Sequence, residues 1–200
     1  MLLPCIGFAA LMVLASASVG LGQTYRDGLI LSSTEFNRSL LGFIRERNFG
    51  KITRSIPALE PLLEALKTKY GPDLATDLRI SAAKEDYADG LLLIQRLIYY
   101  DMKDLLQVGL EIAEKSRETA PAATKLRSAY LDYQILSPFI KDKNFDADRK
   151  IRNLFRTAML RLEASSPYSE EPTDRSDPRD IRPLIEQIES ETLRAFPELK

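Results

Sequence analysis

The chain has 200 residues, 28 basic and 29 acidic side chains, a net charge of −1, no histidine and one cysteine, Cys5. Near-balanced charge gives no global field toward nucleic acid or anionic membrane. Without imidazole, and with a single thiol, the chain offers no Ser/His or Cys/His nucleophile pair, no haem or zinc site of the usual kind and no intrachain disulfide.

Residues 1–25 carry no charged side chain, and the first is Arg26. Ile6 to Ala15 is a compact apolar run followed by the small residues SASVGLG. That order predicts a signal peptide over residues 1–22. Ala15-Ser16-Ala17 offers a cleavage sequence, and Gly20-Leu21-Gly22 a weaker one. The segment MLLPC departs from the pattern, because its only positive charge is the amino terminus. Cys5 precedes the apolar run, so it is not placed as a lipoprotein cysteine. The alternative is an N-terminal membrane anchor, which needs about 20 apolar residues. Ser16, Ser18, Gly20 and Gly22 dilute it. The expected location is periplasmic or secreted, with no stable membrane span after cleavage.

The rest reads as an all-α, antiparallel helical bundle of five to seven helices with a four-helix-bundle-like core, because apolar residues recur at helical spacing and no strand-like alternation stands out. The expected division is a bundle over 23–164, a polar linker over 165–179 and a C-terminal helix over 180–200. Ser33 or Thr34 caps a first helix to about Asn48, with Phe36, Leu40, Phe43 and Ile44 on one side and Gly50 as its end. A second helix is predicted from about Pro57 to Tyr70, so that Pro57 and Pro61 fall near its first turn. Gly71-Pro72 is a stop, and Asp73 caps the next helical segment.

Leu74 to Ser116 contains no proline. As one helix it would extend about 60 Å at 1.5 Å per residue. A break is therefore expected near Tyr99 to Asp101, with Asp101 as a new cap. GLLLIQRLIYY, Gly90 to Tyr100, is apolar on nearly all sides and marks the most buried element. Pro121 opens a helix through Ile140, kinked or interrupted at Pro138. Asp146 or Asp148 caps another, to about Ala164. Residues 165–177 are turn-rich and polar. A last amphipathic helix runs from about Asp180 to Phe196, using Leu184, Ile185, Ile188 and Leu193. No repeat of fixed period appears.

Four groups of residues could carry chemistry. Glu85, Asp86, Asp89, Asp101 and Asp104 form a carboxylate cluster, with Glu85 and Asp89 four apart on one helical face. Helical-bundle metal sites pair such carboxylates with Glu-x-x-His, and no EF-hand spacing is present, so no metal is expected. Arg96 lies between Ile94 and Leu97 and needs an acid such as Asp89, Asp101 or Asp132. Tyr87, Tyr99, Tyr100, Tyr130 and Tyr133 are either core rings or the lining of a ligand cavity. The ligand-binding set is then Tyr87, Asp89, Arg96, Tyr99, Tyr100, Tyr130, Asp132 and Tyr133. The helix from Arg149 to Leu162 has an apolar stripe (Ile151, Leu154, Phe155, Ala158, Met159, Leu162) flanked by Lys150, Arg152, Arg156 and Arg161. It suits an acidic partner, anionic lipid or the chain's own acidic Glu170–Asp180.

No phosphate-loop, dinucleotide, nucleophile-elbow or haem-attachment motif occurs. The expected function is a non-enzymatic interaction or accessory module with an unknown protein partner, no nucleic acid and no cofactor. The second expectation is a small-ligand or metal-binding bundle built on the tyrosine and carboxylate set.

Overall fold

The computed structural model describes residues 33–115, 119–164 and 181–200. Those residues form seven α-helices and a closing 3-10 turn, with no strand among them. The signal peptide expected over 1–22, the linker expected over 165–179 and the acidic stretch Glu170–Asp180 lie outside the described residues. α1 covers residues 33–45. It is followed by α2 (Phe49–Tyr70), α3 (Leu74–Ala83), α4 (Tyr87–Lys115), α5 (Ala120–Lys143), α6 (Phe145–Ala164) and α7 (Arg182–Ala195). The 3-10 turn is Pro197–Leu199.

Side-chain pairs fix the directions. Tyr133 meets Asp148, Tyr130 meets Phe155 and Arg127 meets Glu163, so α5 and α6 run antiparallel. Arg182 meets Glu114 and Lys103 meets Glu189, so α7 returns antiparallel along α4. Asn37 reaches Asp132 while Arg45 covers the Phe139 ring, so α1 runs parallel to α5. α4 sits at the centre, packed against α2, α3, α5 and α7. Ile94, Leu97, Ile98, Met102 and Leu106 on it have no exposed surface.

Four expected boundaries move. α2 starts eight residues earlier than the prolines suggest, and Pro57 and Pro61 lie inside it. Both prolines face solvent, so the carbonyls they leave unbonded reach water. The stripe Ile52, Ile56, Leu59, Leu63, Leu66 is buried along the opposite face and holds the helix. Gly50 therefore lies in the first turn of α2, and Asn48 caps that turn by accepting from Lys51 N at 3.1 Å.

The long third segment does divide, but at residues 84–86. α4 runs unbroken for 29 residues through Tyr99 to Asp101, and Asp101 is buried in mid-helix rather than a cap. Glu85 takes φ 54°, a left-handed conformation, and Asp86 Oδ1 accepts from Asp89 N at 3.1 Å. Glu85 and Asp89 thus share no helical face.

α5 continues through Pro138 to Lys143. Pro138 is solvent-exposed, which again leaves the freed carbonyl to water. Asn144, not Asp146 or Asp148, caps α6, accepting from Ala147 N at 3.0 Å. Asp148 turns inward instead. Gly71 (φ 96°) and Asp73, which accepts from Thr76 N at 3.1 Å, act as expected.

Two helical glycines differ in surroundings. A Cβ on Gly109 would lie 2.6 Å from Leu126 Cδ1 and 3.3 Å from Lys125 Cβ, because α4 and α5 cross closely there. A Cβ on Gly42 meets nothing within 4 Å. Gly42→Ala is expected to raise stability by about 0.5–1 kcal/mol through helix propensity. At Gly109→Ala the same gain is outweighed by overpacking of about 1–3 kcal/mol, so stability falls. Thermal melts of the two variants should shift in opposite directions.

Candidate functional site

The polar groups buried deepest between α1, α4 and α5 are Asn37, Asp101 and Asp132. Asn37 and Asp132 have no exposed surface and Asp101 has 3 %. Asn37 lies on the face of α1 that carries Leu40 and Ile44, so the stripe that buries this helix also carries an amide into the core. Its Nδ2 donates to Asp101 Oδ2 at 2.9 Å and reaches Asp132 Oδ1 at 3.4 Å. One amide therefore bridges two carboxyl groups from two other helices.

Burial pushes the Asp101 carboxyl up to about 6, helped by the charge of Asp104 and opposed by hydrogen bonds from Asn37 and Ser33. Asp132 is pushed well above the ordinary carboxylate range, first by burial and then by the charge of Asp101. Asn37, the Arg38 charge and the nearby Thr34 hydroxyl oppose it, the last without the geometry of a full hydrogen bond. Asp132 Oδ2, Asn37 Oδ1 and Thr34 Oγ1 are buried with no hydrogen-bond partner among the described residues. Such orphans are uncommon in folded cores.

A second buried acid is fully satisfied. Asp148 Oδ1 accepts from Tyr133 OH at 2.7 Å and from Ser137 Oγ at 2.6 Å, while Oδ2 accepts from Arg152 Nε at 3.0 Å. Burial would raise this carboxyl. The Ser137 and Tyr133 hydrogen bonds and the Arg152 charge outweigh it, and Asp148 stays below its ordinary range. This network ties α5 to α6.

The tyrosines separate. Tyr99 and Tyr133 are core rings, at 1 % and 0 % exposure. Tyr133 lies against Phe155 and Tyr130, with ring centroids 5.5 and 6.4 Å away. Tyr100 stacks on Tyr70 at 5.4 Å, and Tyr87 lies under the Arg47 guanidinium. The Tyr99 hydroxyl is buried without a partner among the described residues, and burial holds it neutral.

The expected ligand set is therefore not one site. Arg96 Nε donates to the Glu198 carbonyl at 2.8 Å, an anchor for the C-terminal turn. None of the acids expected to pair with it does so there. Asp89 lies exposed in the first turn of α4. Of the carboxylate cluster, Asp104 pairs with Lys69 at 2.6 Å, Asp101 is buried, and Glu85 and Asp86 form the 84–86 connection. No group of three His, Cys, Asp or Glu side chains forms a metal cluster among the described residues. No described helix is long and apolar enough to cross a membrane.

On the surface, α6 carries an open groove of about 350 Å³, lined among the described residues by Asp146, Arg149, Lys150, Asn153, Leu154 and Thr157. Leu160, further along α6, is 53 % exposed. The inner stripe of α6 is buried at Ile151, Phe155, Ala158 and Leu162, leaving the basic residues outside. Lys150 pairs with Glu191 of α7 at 2.7 Å.

Asn37, Thr34, Ser137 and Asp148 are absent from the sequence-derived set. Asn37 had a signal, since a polar residue within an apolar helical stripe must find partners inside. The chain matches no protein-family model, no curated protein and no solved structure.

Proposed function

We propose that the chain is an exported, non-enzymatic helical-bundle module that works by holding an acidic protein partner on the outer face of α6. The supporting observation is the state of the tyrosines. Tyr99 and Tyr133 fill the core with other rings instead of framing a chamber, which favours an interaction module over a small-ligand bundle. Export is supported by the apolar run Ile6 to Ala15 and the small residues after it.

The partner face is argued from charge and shape. Arg149 and Lys150, the latter paired with Glu191, line the α6 groove together with Asp146, with Leu154 half-buried in it, and Arg156 and Leu160 are exposed further along the helix. A basic rim around apolar contact suits an acidic protein surface. Placing a photo-crosslinking residue at Asn153 in producing cells is expected to give one discrete adduct. The same residue at the exposed Thr68 of α2 should give none. Equal or absent adducts at both positions would remove the reading.

A further inference from the structure

We propose that the junction of α1, α4 and α5 is a pH-dependent latch: Asp101 and Asp132 hold α1 down while protons neutralise them, and α1 loosens from the bundle as both become charged. This does not rest on the partner reading, and the two fail separately.

The geometry carries it. Asp101 of α4 and Asp132 of α5 are buried, and both reach one atom, Nδ2 of Asn37, at 2.9 and 3.4 Å. Two carboxyl groups gathered at one buried nitrogen do not ionise together cheaply, because each is desolvated and each repels the other. A proton on one of them relieves this. It also turns an acceptor into a donor. Asp132 Oδ2 and Thr34 Oγ1 are buried with no hydrogen-bond partner among the described residues, and the Thr34 hydroxyl lies close enough to act on the Asp132 carboxyl. A protonated Asp132 therefore has an acceptor beside it.

The surrounding charges leave the pair uncompensated. α1 brings the Ser33 and Thr34 hydroxyls, the Asn37 amide and the Arg38 charge, and Arg38 is exposed to water. On α4, Asp104 opposes ionisation of Asp101 and is itself paired with Lys69 of α2. Glu189 of α7 is paired with Lys103, and Asp148 of α6 with Arg152. Burial holds Asp101 at about 6, and Asp132 is held well above the ordinary range.

α1 is the element that yields. α4 and α5 pack on each other and cross closely at Gly109, so their seam does not depend on the pair. The inner face of α1 carries Asn37 with Leu40, Leu41 and Ile44, and lifting it gives both carboxyl groups to water at once. In water they titrate near the ordinary value of about 4. The docked state thus binds more protons than the open one. Its advantage is complete below about 4 and is lost as pH rises through the docked values. Within that window each proton released multiplies the opening equilibrium about tenfold per pH unit. Such local opening of one element below the global unfolding free energy is read by hydrogen exchange.

The test is hydrogen exchange of the purified chain at pH 5 and pH 7.5, with rates corrected for the intrinsic effect of pH. Protection of residues 37–45 is expected to fall by about tenfold or more between the two, and at pH 7.5 these amides should exchange ahead of residues 93–106 in α4. Asp132→Asn keeps the shape and removes a buried charge, so it should fold and show a smaller fall. Asp101→Asn combined with Asp132→Asn should show none. Asp89→Asn, at an exposed acid, should behave like wild type. No fall in wild type would overturn the proposal. So would an undiminished fall in Asp132→Asn, which would place the titrating groups elsewhere. Equal protection of α1 and α4 at both pH values would overturn it too, since the pair would then set the stability of the whole bundle and not the docking of α1.

Discussion

Leu97→Ala is expected to lower stability by about 3–4 kcal/mol, within the range of about 2–5 kcal/mol for buried leucines. Leu97 has no exposed surface and lies midway along α4. α4 has packed helices around it in α2, α3, α5 and α7, so the walls of the new cavity are held by separate elements and relax little. For a domain of ordinary stability this is a large share of the total. Ile80→Ala is the contrast. Ile80 is 46 % exposed on α3, and a change within about 0.5 kcal/mol is expected there. Denaturant midpoints at constant slope settle the comparison. A Leu97→Ala midpoint equal to that of wild type would show that α4 is not the centre of the bundle.

The centre is legible in the sequence because Gly90 to Tyr100 is apolar around the whole helix, and only a helix with neighbours on several sides has that pattern. Helix ends are legible where the backbone demands a particular residue, as at Gly71 with its positive φ and at the Asp73 cap. They are not legible where an unmarked residue takes a special conformation. Glu85 adopts the left-handed region that favours glycine or asparagine, so the break at 84–86 has no glycine to announce it. Prolines mislead in the other direction. Pro57, Pro61 and Pro138 all face solvent inside continuous helices, and their exposure is a property of the folded face that local rules do not supply.

The site is legible only in part. Asp132 and Tyr133 stand out together on one helix, yet they belong to different networks. Asp132 faces α1, through Asn37, while Tyr133 faces α6, through Asp148. Neighbours in sequence on a helix point about 100° apart, so the two residues serve different seams of α5. Asp101 has the sequence signal of a cap because aspartate commonly caps, but its place in the apolar stripe beside Leu97, Ile98 and Leu105 is the stronger signal. Asp148 misleads for the same reason. The cap is Asn144, which frees Asp148 to turn inward.

That inward turn makes Asp148→Ala the second large effect, a loss of about 3 kcal/mol at pH 7. The substitution removes the acceptor for Tyr133 OH, Ser137 Oγ and Arg152 Nε together. Arg152 is largely exposed and turns to water, but Ser137 and Tyr133 are buried. Orphaned buried donors cost about 1–3 kcal/mol each. Tyr133 retains a 3.3 Å contact to the Asp148 carbonyl, which holds the total near the lower end. The pH dependence separates charge from packing. In the folded chain Asp148 stays ionised below its ordinary range, so it binds fewer protons than in the unfolded chain. Its contribution is therefore present above the unfolded value of about 4 and lost as pH falls through the folded one. Asp148→Asn keeps the shape and removes the charge. Denaturant melts from pH 7 down to pH 3 should show the gap between wild type and Asp148→Asn narrowing as the acid limit is approached. A gap constant with pH would mean that Asp148 acts by shape alone, and that the Arg152 pairing contributes nothing to the α5–α6 seam.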